Sequence, residues 1–163
     1  LMSQAKKRAT AAEGLLDINR SVAIAALRAH GFTDIVLIGD HGGYQSSLTA
    51  VERRLNREWA AAPARVHAVL QYYRASEDAY KQALRARGYR DDEIGIHAGL
   101  ADASLALAVD PRVVRTDRLK DAPRAADGTY GDPRRASAEL GELGVNAIVR
   151  ETVEAIRRAV RRR

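Results

Sequence analysis

The chain has no cysteine, which excludes disulfides and thiolate metal sites and leaves it able to work in a reducing compartment. No apolar run approaches the roughly 18 residues of a membrane-spanning helix. The opening residues, Leu1-Met2-Ser3-Gln4-Ala5-Lys6-Lys7-Arg8, lack the apolar stretch of a signal peptide. A cytoplasmic protein without membrane contact is therefore expected. Internal repeats, low-complexity linkers and a clear domain boundary are also lacking, so residues 1–163 read as one domain. With 46% apolar residues, that domain can bury a core. The net charge of +6 raises nucleic acid as a partner. Five arginines lie in the last seven residues, however (Arg157, Arg158, Arg161, Arg162 and Arg163), and the remainder is nearly neutral. That is a tail at a helix carboxyl end, where cations meet the macrodipole favourably, and no nucleic-acid partner is expected.

Helical and strand patterns alternate. Thr10-Ala11-Ala12-Glu13 has capping-box spacing, and Leu15, Ile18, Val22, Ala26 and Ala29 keep one face, predicting a helix from about Ala11 to His30 stopped by Gly31. Phe32 to Gly39 reads as a buried strand, Ser47 to Ala61 as a helix with Leu48, Val51 and Leu55 inward, and Arg65 to Tyr72 as a strand with period two. His67 on that strand reads as packed or exposed, not as a ligand. A helix over Ser76–Arg87 ends at Gly88, and Arg90–Gly95 is a charged loop. Asp110–Asp132 is polar, with Pro111, Pro123 and the adjoining Pro133, and reads as loop with a short strand or helical turn. The last helix, about Pro133 to Arg161, places Val145, Val149, Val153, Ile156 and Val160 on one face. The alternation predicts an α/β fold, a parallel sheet with helices on both faces.

Three segments carry chemistry. Gly39-Asp40-His41-Gly42-Gly43-Tyr44 leaves the carboxyl end of the first strand, the place where open α/β sheets hold ligands and where glycines admit close backbone approach. The alternative there is a tight turn whose histidine caps the next element. Gly95-Ile96-His97-Ala98-Gly99-Leu100-Ala101-Asp102-Ala103-Ser104 sets a histidine ahead of an element with an acid in its first turn, where unpaired N–H groups favour the ionised carboxylate. Gly128-Thr129-Tyr130-Gly131-Asp132-Pro133-Arg134-Arg135-Ala136-Ser137-Ala138-Glu139-Leu140-Gly141 supplies a turn and a helix start.

In this order the three segments resemble the creatininase family of metal-dependent amidohydrolases, with its HGGN-type loop, its His-Ala-Gly-x-x-Glu-x-Ser segment and its Gly-x-x-Gly-Asp-Pro block. The resemblance runs from about Ser21 to near the chain end. It implies hydrolysis of a non-peptide C–N bond in a small cyclic or linear amide. It also implies a divalent metal, Zn²⁺ with Mn²⁺ as the alternative, whose bound hydroxide attacks the carbonyl. His41 and Asp102 become metal ligands around one cluster, His97 the residue that protonates the leaving nitrogen, and Gly42, Gly43 and Tyr44 the substrate side of the loop.

Two departures concern side chains: Asp102 stands where glutamate is usual and Tyr44 where asparagine is. The third is that the family's Glu-x-His pair occurs nowhere in the chain. A catalytic zinc takes about three protein ligands, so His41 and Asp102 alone predict weak metal binding and no activity. The chain then reads as shortened at its amino terminus. The strands lost with that segment would leave a bare sheet edge or apolar face, covered by a second copy in a homo-oligomer or by the first helix. An inactive relative serving as an interaction module is the competing expectation.

Overall fold

A computed structural model describes residues 21–121 and 128–161. The chain divides into two compact units, one containing residues up to Tyr73 together with Glu154–Arg163, the other Arg74–Val153.

In the first unit, helix α1 is described over residues 21–29 and stops at Gly31, whose φ of +88° suits the residue without a Cβ. The predicted start of this helix lies outside the described residues. Strand β1 (Asp34–Leu37) leads through a single 3₁₀ turn (Gly42–Tyr44) into α2 (Gln45–Glu58), and β2 (Arg65–Ala68) follows. The two strands are parallel, with Ile35 opposite Val66, as a βαβ crossover requires. Ile24 of α1, Val51 and Leu55 of α2, Trp59, Ile35 and Val66 form one buried cluster. Both strands are shorter than their apolar patterns suggest. Tyr72 belongs to no strand, because the chain turns helical at Gln71.

Side chains close the ends and edge of this sheet. The amides of Arg65 and Val69 bond β1, whereas the outer-edge groups of β2 bond α2: Asn56 Nδ2 donates to the Val66 carbonyl (2.8 Å), Val66 N–H to Asn56 Oδ1 (2.9 Å) and Ala68 N–H to Glu52 Oε1 (3.0 Å). A carboxamide thus occupies the place of a neighbouring strand, which blocks edge-to-edge pairing at β2. Beside β1, Phe32 and Ile38 are exposed apolar residues. The Arg65 guanidinium donates to the carbonyls of Trp59, Ala60, Ala62 and Ala64, anchoring the turn that ends α2. His67 is packed as expected, its Nε2 2.9 Å from Asp34 Oδ1. Asn56→Ala is expected to cost about 1–2 kcal/mol, since it strands two backbone groups at once. Urea unfolding measures it, and an unchanged midpoint would mean that water satisfies the edge equally well.

The second unit begins in one helical run: α3 (Gln71–Arg74), which straddles the division, then a π-helical segment (Ala75–Tyr80) and α4 (Lys81–Arg85). The segment expected to be a charged loop forms the short helix α5 (Asp91–Ile94), whose first turn gathers Asp91, Asp92 and Glu93 near the unpaired N–H groups. Helix α6 (Leu100–Val109) carries Asp102 in its first turn, as expected. The polar stretch after it holds a 3₁₀ turn (Pro111–Val113) and α7 (Thr116–Leu119). A further 3₁₀ turn (Pro133–Arg135) precedes α8 (Ala138–Arg161), whose last residues belong to the first unit. Tyr80, Leu84, Ile94, Leu100, Ala101 and Leu140 make the core.

The buried face of α8 is not the valine stripe. Val149 is 54% and Val153 37% exposed, while Leu140, Gly141, Gly144, Ala147 and Thr152 are buried. Small residues win this face because α6 approaches closely: a Cβ on Gly141 would lie 1.9 Å from the Ser104 carbonyl oxygen.

Candidate functional site

The HGGY loop leaves the carboxyl end of β1 and is held by its own side chains. Tyr44 folds back so that its hydroxyl donates to Asp40 Oδ1 (2.9 Å) and accepts from Asp40 N–H (3.1 Å). Its ring covers Gly39, where a Cβ would come within 2.3 Å of it. Gln45 Nε2 donates to the carbonyls of Gly39 (3.0 Å) and His41 (2.9 Å). His41 caps the 3₁₀ turn, with extended backbone (φ −122°, ψ 130°) and Nδ1 accepting the Gly43 N–H at 2.9 Å. Its ring stacks on Tyr44 at 5.7 Å. Gly42 has its own reason to be glycine, because a Cβ there would lie 2.7 Å from the Tyr73 hydroxyl. The sequence reading missed Tyr73, although its position just beyond the carboxyl end of β2 was a signal for it.

In the second unit His97 and Asp102 share one turn. Asp102 Oδ2 accepts the Ala98 N–H at 2.9 Å, closing a loop in which Ala98 takes φ of +50°. His97 is exposed and forms an antiparallel bridge with Tyr130, its carbonyl accepting the Tyr130 N–H at 2.7 Å. The rings meet edge to face at 6.0 Å.

Three glycines bring these segments together. A Cβ on Gly131 would fall 2.7 Å from Gly99 Cα and 2.9 Å from Gly95 Cα, and one on Gly95 (φ +73°) only 2.1 Å from the Tyr130 carbonyl. The spacing Gly-x-His-x-Gly opposite Gly-Asp-Pro is thus a backbone contact that presents His97. Glu93 ties the same turn down, since it accepts Arg90 N–H (3.2 Å) and pairs with Arg135 Nη1 (2.9 Å). The Arg90 amide, and after it the Arg135 guanidinium, hold its carboxyl below the usual range against the opposing effect of burial. Arg135 also stacks on Tyr89 at 4.4 Å. Ser104 is fully buried and its Oγ accepts Ser137 N–H (3.2 Å). Asp132 pairs with Arg134 through two contacts of 2.6 and 2.8 Å.

Among the described residues, no three His, Asp or Glu side chains are grouped to hold a metal. The donor types of His41 and Asp102 suit a divalent ion, but the His41 ring as capped offers it no lone pair. Asp102 gives one carboxylate oxygen to a backbone amide, and His41 gives Nδ1 to another.

The creatininase family, described as creatinine amidohydrolase, matches residues 10–156, beginning ahead of Ser21 and spanning both units. The chain belongs to the creatininase family. Solved creatininases share the fold. One is described as creatininase Mn (TM-score 0.71, 27% identity), one as a mutant creatininase complexed with creatine (0.67, 26%) and one as a Zn-Zn type mutant creatininase (0.66, 26%). Each comparison covers 90% of this chain. The chain spans 64–65% of the length of these creatininases. No curated protein matches it. The creatininase fold agrees with the α/β reading and its parallel sheet. None of the described helices is long and apolar enough to cross a membrane.

Proposed function

We propose that the chain carries part of the active site of a metal-dependent amidohydrolase, one that cleaves a non-peptide C–N bond in a small cyclic or linear amide. The observation that carries this reading is the family match over residues 10–156, within which all three motif segments fall. Solved creatininases described as Mn, as Zn-Zn type and as complexed with creatine support this reading of the metal and the substrate. In this reading His41 and Asp102 are metal ligands, with the remaining ligands coming from outside the described residues. The protein works as a homo-oligomer in the cytoplasm, and the absence of cysteine agrees with that compartment.

Hydrolysis puts oxygen on the carbonyl carbon and a proton on the departing nitrogen. His97 suits the second task, because it is exposed and carried on a glycine-braced turn, and an imidazole can pass a proton to a leaving nitrogen. Gly42, Gly43 and Tyr44 shape the substrate side of the first loop. The capped state of His41 and Asp102 favours a second reading, a non-catalytic relative that keeps the fold as an interaction module.

Mn²⁺ titration of the ¹⁵N-labelled chain separates the two. The enzyme reading expects weak binding that broadens resonances of both the His41 and the Asp102 turns, and that is abolished by His41→Ala or Asp102→Ala. Broadening at one turn only, or at neither, supports the module. In an active form, His97→Ala should lower turnover by about 10² to 10⁴ with metal content intact. Loss of metal instead would make His97 a ligand.

A further inference from the structure

The HGGY loop already uses the His41 imidazole. The Gly43 N–H points at His41 Nδ1 across 2.9 Å, so that nitrogen must offer a lone pair and a neutral ring carries its hydrogen on Nε2. An Nε2 bearing hydrogen has no lone pair for a metal. Ligation through Nε2 would move the hydrogen to Nδ1, where two N–H groups would then oppose each other. Ligation through Nδ1 would displace the Gly43 N–H directly. Both routes break the cap.

We infer that the described loop is a self-capped state incompatible with metal at His41, and that loading a divalent ion there releases the Gly42–Tyr44 turn. This rests on the amidohydrolase reading for the metal, but not for the cap. The consequence reaches beyond one bond. His41 stacks on Tyr44, Tyr44 holds Asp40, and Gln45 bonds the His41 carbonyl, so a ring that turns or shifts toward a metal disturbs the side chains that keep the loop closed. The loop's order becomes a readout of metal occupancy that needs no turnover.

Long-range ¹H–¹⁵N spectra of the full chain report histidine tautomers, and the Gly43 amide resonance reports the cap. In EDTA, His41 should be the Nε2–H tautomer. On addition of Zn²⁺ alone, the His41 ring and the Gly43 amide should shift together. His41→Asn keeps a capping oxygen, so it should retain the structured loop in EDTA while losing the Zn²⁺ response. His41→Ala should disorder the loop in EDTA without any metal. An Nδ1–H tautomer in EDTA would overturn the cap while leaving the metal reading standing. Zn²⁺ engaging His41 with Gly43 unmoved would overturn the competition. An intact Nε2–H tautomer with no Zn²⁺ effect at His41 up to millimolar concentration would sink both the competition and the ligand role of His41.

Discussion

Gly141→Ala should destabilise the protein by about 3 kcal/mol or more, although the same change in an ordinary helix interior would stabilise it by about 1 kcal/mol. The opposition of sign makes the measurement decisive. Gly141 lies in the first turn of α8, and a methyl group there would sit 1.9 Å from the Ser104 carbonyl oxygen and 2.8 Å from Ala108 Cβ. The first contact is with helix backbone, which can retreat only by moving α6. That movement would loosen the bond from Ser137 N–H to Ser104 Oγ and the packing of Tyr80 beside Gly144. A companion change, Ala108→Gly, relieves only the lesser contact and should not rescue stability. Equilibrium urea unfolding of the three variants tests this. A Gly141→Ala protein as stable as the parent would show that α6 and α8 stand further apart than described.

Gly141 also illustrates what was legible in the sequence. The period of α8 was plain, but its inward face was assigned to valines on hydrophobicity alone. Hydrophobic burial favours large side chains only where room exists for them. Against α6 the gain comes from backbone proximity, and a pattern of Gly141, Gly144 and Ala147 reads as weakly apolar until the neighbour is known. The first unit was easier. Leu48, Val51 and Leu55 faced inward as their spacing required, and Ile35 with Val66 gave the parallel pair. The strands came out short because the residues that end them, Gly39 and the helix-forming Gln71, act through contacts that a period-two pattern does not contain.

The motifs were legible as a family signature and less so as chemistry. Gly95, Gly99 and Gly131 mark where two segments touch, Ser104 and Gly141 mark where two helices touch, and Asp132 with Arg134 closes a turn. Much of the pattern that identifies the family therefore builds the frame around His97. For His41, sequence allowed a ligand or a cap, and spacing could not choose between them, because both need a side-chain nitrogen at the same strand end. Its hydrogen bond to Gly43 is a fact of tautomer and direction, below the resolution of residue identity.

Tyr80→Phe should invert its effect on stability between pH 9 and pH 12. Tyr80 is 1% exposed, and its hydroxyl donates to the Ala101 carbonyl at 3.2 Å. Burial pushes its pKa from 10.0 up to about 12, against a smaller lowering from the Ser104 bond. The unfolded chain ionises this phenol near 10 while the folded chain resists until near 12. The stabilisation linked to the neutral phenol is therefore complete below pH 10 and is lost as the pH rises from 10 to 12, by about 2–3 kcal/mol in all. Phenylalanine cannot ionise and loses only the hydroxyl's bonds, about 1 kcal/mol. At pH 9 the variant should be the less stable by that amount, the curves should cross near pH 11, and at pH 12 the variant should be the more stable. Urea unfolding at these pH values measures the difference, and phenolate absorbance should show one tyrosine silent until unfolding begins. A stability difference that stays constant from pH 9 to pH 12 would mean that the Tyr80 hydroxyl reaches solvent, and that the core between α6 and the π-helical segment is open where it is described as closed.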